Sequence, residues 1–242
     1  MHKHSYCTRT YRNKLSHQGF ESFQVKVLET DLYIAACKDL TKLALKSVQH
    51  HRMHIENYIK LNPLFLKTFS PWPDDPLAPP IVRNMISAAN QANVGPMAAV
   101  AGAVADYVGL DLMAESPEVI VENGGDIFMK CERQMCVGIF AGPSPLSDKL
   151  TIIIDKAQMP IGICTSSATV GPSVSLGCAD AVCILAKSAA LADAVASFVG
   201  NKIRKKDDIQ RALDQGAKIK GVTGMVIIMD KHLGAWGDVT FA

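Results

Sequence analysis

Two short strings far apart in the chain carry most of its chemistry: Glu122-Asn123-Gly124-Gly125-Asp126-Ile127, and Ala190-Leu191-Ala192-Asp193-Ala194-Val195-Ala196-Ser197. The first reads as a tight glycine turn between the apolar runs Val119 to Val121 and Ile127 to Met129. Gly124 and Gly125 permit positive φ and close backbone approach. At the shoulders of the turn, Glu122, Asn123 and Asp126 can meet a ligand's ring nitrogen or hydroxyl. In the second string, Asp193 and Ser197 are four residues apart, so a helix stacks them on one face. Hard cations such as Mg²⁺ prefer oxygen ligands and complete their shells with phosphate oxygens. Together the strings suggest a site that holds a phosphate-bearing ligand through a divalent cation. A plain hairpin turn, and a structural aspartate with a serine bonded back to the preceding turn, would show the same letters.

A third segment is rich in hydroxyls. Thr165, Ser166 and Ser167 open a stretch running to Ser175 that includes Gly171 and Pro172. Hydroxyls and free amides in a glycine-containing loop can cradle phosphate oxygens. A polar surface loop has the same composition, but apolar runs at 161–164 and 181–185 lead both of its ends into the core. Asp180 stands beside it. By contrast, His50, His51 and His54 lie on a basic helix without a third metal ligand nearby and read as a solvated face.

These segments need elements to position them. Residues 23–27 and 32–36 read as a hairpin, and Asp39 or Thr41 as the cap of a long amphipathic helix to about residue 60. The prolines between Ser70 and Pro80 exclude regular structure there. Helices are expected over 81–92 and 97–108, the second small on every side and therefore closely approached. Strands are expected at 118–122, 126–131, 135–140, 150–154, 161–164 and 181–186. Helices at about 188–203 and 206–216, and strands near 222–229 and 234–241, complete the chain. Strands joined by short turns, with helices grouped between them, argue for an α+β architecture with largely antiparallel sheets. A hairpin, long helices and further hairpins occur in both halves, hinting at duplication within one domain of two packed halves spanning 1–242.

Composition sets outer bounds. The 242 residues are 48% hydrophobic and 20% charged, which suits a globular chain. Residues 1–67 hold eleven basic and five acidic side chains, yet few aromatics interleave them, so a solvated basic helix is expected and nucleic-acid binding is not. The seven cysteines are scattered, mostly in apolar contexts, as in reduced cytosolic proteins. Cys131 and Cys136 could meet across a hairpin, without the partners a zinc site needs. The amino terminus lacks an apolar segment behind its basic residues, and apolar runs are too short to span a bilayer. A cytoplasmic location without membrane contact is therefore expected. The small-residue helix suits a subunit interface, so a homo-oligomer is expected.

Four segments in order, Met97 to Asp106, Glu122 to Ile127, Cys164 to Ser167 and Ala192 to Ser197, resemble the signatures of ApbE-type flavin transferases. A short cytosolic ApbE-like group also shares the Val94-Gly-Pro-Met-Ala-Ala start. The resemblance implies an α+β fold related to the T-fold. It implies FAD or a related nucleotide and Mg²⁺ as cofactors, and transfer of FMN to a serine or threonine of a protein acceptor. Asp193 and Ser197 would hold the metal. Glu122, Asn123, Gly124, Gly125, Thr165, Ser166 and Ser167 would border the flavin. If phosphoryl transfer occurs, Asp126 or Asp180 would take the hydroxyl proton. Gly102 and Asp106 match the family's first helix segment, whereas Ala101 stands where lysine is usual. A compact Gly171 to Gly177 replaces a longer His-Ile-Ile-Asp-Pro segment. The alternative is a ligand-binding or assembly module without turnover, holding a heteroaromatic ring near Glu122.

Overall fold

The computed structural model describes residues 19–167 and 177–242, so most of the hydroxyl-rich loop lies outside the described residues. An eight-stranded antiparallel sheet forms the centre of the fold. Its strands, in chain order, are β1 (Glu21–Val27), β2 (Thr30–Ala36), β3 (Val119–Asn123), β4 (Asp126–Lys130), β7 (Ile161–Ser166), β8 (Ala181–Ala186), β9 (Val222–Met229) and β10 (His232–Gly237), and they lie side by side in that order. A second antiparallel sheet joins β5 (Met135–Ile139), β6 (Leu150–Ile154) and β11 (Thr240–Phe241). The helices are α1 (Thr41–Leu61), α2 (Pro80–Ala92), α3 (Val100–Leu112), α4 (Ala189–Gly200) and α5 (Asp208–Gly216).

Strand alternation explains the layering. Val119, Val121, Val182 and Ile184 face the helices, whereas Ile120, Ala181, Cys183 and Leu185 pack with Val137, Ile152 and Ile154 of the small sheet. The central strands are thus covered on both faces, and β8 is a continuous apolar run, Ala-Val-Cys-Ile-Leu-Ala, with every residue buried. Along the large sheet, an antiparallel strand pair, helices and a second strand pair occur twice in succession.

Helix α4 is central, buried against β7, β8, α2 and α3. Its alanines allow this: a Cβ on Gly102 of α3 would collide with the backbone of Ala189. Helix α2 ends on Asn93 at φ 55°, with the Val94 amide returned to the Ala89 carbonyl at 3.0 Å.

Several expectations need correction. The last expected strand is two strands in different sheets, broken at Gly237, whose φ of 81° ends β10. The small-residue helix starts at Val100, because Pro96–Ala99 forms a 3₁₀ turn. Cys131 and Cys136 do not meet across a hairpin: β4 and β5 belong to different sheets, and Cys131 is buried while Cys136 is exposed. Of the three helix histidines, His51 turns inward, its Nε2 2.9 Å from Asp111. Among the described residues, no helix is long and apolar enough to cross a membrane.

The α3–α4 contact makes a prediction. Gly102→Ala forces two backbones apart and should destabilise the protein by about 1–3 kcal/mol in urea unfolding. Gly138→Ala, where a Cβ meets nothing within 4 Å, should stay within about 0.5 kcal/mol of wild type.

Candidate functional site

The glycine turn forms as its letters suggest, with Gly124 at φ 70° and Gly125 at φ 119°. Glu122 is buried and accepts a hydrogen bond from the Gly125 amide at 3.1 Å, so it helps hold the turn. The Gly125 carbonyl accepts from the Thr165 amide at 3.0 Å, tying the turn to the end of β7. The next pair along this ladder is Asp126 opposite Cys164. Both side chains belong to the helix-covered face, beneath α4.

From above, α4 lowers Asp193 toward them. One ligand atom each from Asp126, Cys164 and Asp193 lie within 4.8 Å of one another. Asp193 Oδ2 accepts the Gly102 amide at 3.1 Å, and the Asn123 side-chain amide donates to the Ala101 carbonyl at 3.0 Å. The amino-terminal turn of α3 therefore borders the cluster, where its unpaired amides favour negative charge.

Burial sets the acidities. The Asp126 carboxyl is pushed up to about 7 by burial, reinforced by the negative charges of Glu122 and Asp106 and opposed by a hydrogen bond with Cys164. Burial likewise pushes Asp193 well above the carboxylate range, Asp126 adds to this, and the Gly102 and Ala101 amides oppose it. The Cys164 thiol is raised by burial and then by both carboxylates. Asp126 Oδ1 is buried without a hydrogen-bond partner among the described residues. An orphaned carboxyl oxygen beside a second carboxyl is a donor set that fits a divalent cation once the protons are displaced.

The other expected residues fall around this centre unevenly. Ser166 continues the helix-face row of Cys164, so the strand runs further than expected and takes in both Thr165 and Ser166. Thr165 turns the other way, its hydroxyl bonded to the Cys183 thiol beneath the sheet. Ser167 is buried just beyond the strand. Ser197 lies one turn along α4 from Asp193 and is half-buried. Asp180 sits at the same end of the sheet, but its carboxylate accepts the Asp230 amide at 2.6 Å, holding the β9–β10 turn outside the cluster.

Two residues gain roles that their letters did not announce. Cys164 reads as another buried thiol until strand pairing sets it opposite Asp126. Asp106, singled out by resemblance alone, accepts the Ala189 and Ala190 amides at 2.8 and 2.9 Å, while Ser188 accepts that of Leu191 at 3.2 Å. All three first-turn amides of α4 are thereby satisfied.

Known proteins share this fold. The chain superposes on the apo flavinyl transferase ApbE of Pseudomonas stutzeri with a TM-score of 0.56 and 11% identity, covering 90% of this chain and 93% of that one. It superposes on the ApbE protein of Thermotoga maritima with a TM-score of 0.53 and 13% identity, covering 89% and 96%. The fold is that of ApbE proteins. In sequence, a family profile described as "AbpE bacteria" matches residues 12–239. The UPF0280 protein of Methanococcus vannielii is 38% identical over 224 residues, covering 90% of this chain and 91% of its own. That of Methanocaldococcus jannaschii is 39% identical over 207 residues, covering 84% of each. The chain belongs to the ApbE-like family.

The Asp106 cap is testable. Asp106→Ala leaves two buried amides unpaired and should lower stability by about 1–3 kcal/mol, whereas Asp106→Asn keeps an acceptor and should recover part of it. Burial raises Asp106 to about 6 in the folded chain, above its ordinary value of 3.8. The folded state therefore holds this proton more tightly. Its contribution to stability is largest below about pH 4, falls as pH rises to about 6, and is level above that. Urea midpoints measured across pH 4–7 should lose this component of their slope in Asp106→Asn.

Proposed function

We propose that this protein binds FAD or a related nucleotide through a divalent cation held at Asp126 and Asp193, and that it transfers FMN to a protein hydroxyl. The observation that carries the binding reading is Asp126 Oδ1, buried and unpaired beside the Asp193 carboxylate. A pyrophosphate could not approach the buried Asp126 and half-buried Asp193 carboxylates without a cation between them; that ion's contribution is to offset the phosphate charge. Mg²⁺ suits the two oxygen donors, with Ser197 offering a hydroxyl one turn along α4. Gly124 and Gly125 let the ligand reach bare backbone, and Asn123, Ser166 and Ser167 supply polar edges around it.

The solved neighbours are flavin transferases, and their fold is this chain's fold. In the transfer we propose, an acceptor serine or threonine oxygen attacks the phosphorus of the FMN half of FAD. The bond from that phosphorus to the bridging oxygen breaks, AMP leaves, and the hydroxyl proton passes to solvent. We read the whole chain as one domain of two packed halves, acting in the reducing cytoplasm and assembling with further copies of itself.

Flavin fluorescence titrations test this. FAD should bind wild type with Mg²⁺ and lose roughly tenfold or more in affinity in EDTA or in Asp193→Ala, and candidate acceptors should gain FMN by mass spectrometry. Binding that survives EDTA unchanged would point instead to a ring-binding module without metal or turnover. Because Asp126 must shed its proton to meet a cation, cation-dependent binding should strengthen as pH rises to about 7. Below that it should weaken by up to about tenfold per pH unit.

A further inference from the structure

We infer that a cavity between α2 and the β8–α4 turn is a second small-molecule site, which takes a phosphate monoester bearing hydroxyl groups and holds its phosphate with Lys187 and Lys220. It lies apart from the proposed nucleotide site and does not depend on that reading.

The cavity has a volume of about 350 Å³, within the span of small-molecule sites and better suited to a sugar phosphate than to a dinucleotide. Lys187, Lys220, Asn84, Gln91, Ser87 and Ser188 line it, Leu191 adds an apolar wall, and no carboxylate is among the lining residues. Its two lysines come from turns far apart in the chain. The Lys187 amide donates to the Gly221 carbonyl at 3.0 Å, which ties the β8–α4 turn to the start of β9. Gly221 has a φ of 97°, and a Cβ there would lie 2.9 Å from Leu191, so glycine is what lets the two turns close on α4.

The balance of charge calls for an anion. Ion pairs among the described residues occupy other cations, such as Lys38, Arg52, Lys130 and Lys156, and leave Lys187 and Lys220 unpaired. Two like charges lining one cavity raise its positive potential, and a phosphate dianion offsets both. The first-turn amides of α4 take no part, because Asp106 and Ser188 already hold them. The lysines are therefore the phosphate's main anchors.

Asn84 adds a second requirement. Its Oδ1 is buried without a hydrogen-bond partner among the described residues, and an unsatisfied carbonyl oxygen is costly. A ligand hydroxyl can donate to it. Inorganic phosphate supplies the charge but not the hydroxyl-bearing skeleton, so the ligand is assigned as an ester. Leu191 lines this cavity while Asp193, two residues on, belongs to the ion cluster. Two residues turn a helix by roughly 200°, so the two sites lie against opposite faces of α4.

Isothermal titration of the full chain in EDTA tests this, since no ion can then bridge a phosphate to Asp126 and Asp193. The probes are ribose phosphate, inorganic phosphate and ribose. Ribose phosphate should bind saturably and more tightly than inorganic phosphate, and ribose should give no heat. Lys187→Ala and Lys220→Ala should each weaken ribose phosphate binding by roughly tenfold. Asn84→Ala should weaken ribose phosphate several-fold and leave inorganic phosphate unchanged. Cation-dependent FAD binding should be the same in both lysine variants as in wild type. Absence of saturable ribose phosphate binding at roughly millimolar concentration, or equal binding in wild type and both lysine variants, would overturn the inference. Inorganic phosphate binding as tightly as the ester would overturn the assignment of an ester. Loss of FAD binding in the lysine variants would make the cavity part of the nucleotide site and overturn its independence. Saturable ribose phosphate binding by a chain that does not bind FAD would remove the nucleotide reading and leave this one standing.

Discussion

The structure depends on an exchange of carboxylates between two helices. Asp106 of α3 holds the first two amides of α4, and Asp193 of α4 accepts the Gly102 amide in the first turn of α3. Each helix thus supplies the acid that caps the other, where unpaired amides and the helix dipole favour negative charge. The exchange works only at very short range, which is why Gly102 lies where a side chain would strike Ala189. Fixing α3 against α4 in this way fixes Asp193 above the sheet.

The sheet completes the site from below. Because both of its faces are covered, the end of β4 and the neighbouring end of β7 bring Asp126 and Cys164 into a dry environment. Carboxylates gathered there repel one another and lose water, so their protons are held more tightly than in solvent. A bound cation reverses that balance. The caps and the candidate ion site are therefore linked through Asp193, which orders α3 with one oxygen and belongs to the ion cluster with its carboxylate.

Local patterns made much of this legible. The hairpin of β1 and β2, the long helix α1, and the strands at 181–186 and 222–229 follow from alternation, helical spacing and turn residues. Asp193 stood out because a helix face of alanines carried one carboxylate, and Gly124-Gly125 because positive φ needs glycine. Pairing information was hidden. Nothing near Cys164 in sequence announces that antiparallel register sets it against Asp126, and Thr165 and Ser166 look alike until alternation sends them to opposite faces. Asp180 looked like a free acid, yet a turn fifty residues later claims it. The two-sheet division of β10 and β11 was equally invisible, since one left-handed glycine separates them.

The most direct measurement is anomalous diffraction from crystals grown with FAD and Mn²⁺. The account predicts a peak bounded by Asp126, Cys164 and Asp193, with diphosphate oxygens against it and the flavin near the Gly124-Gly125 turn. Flavin density remote from α4, with no anomalous signal between Asp126 and Asp193, would contradict it: the chain would then share the ApbE fold without its nucleotide site.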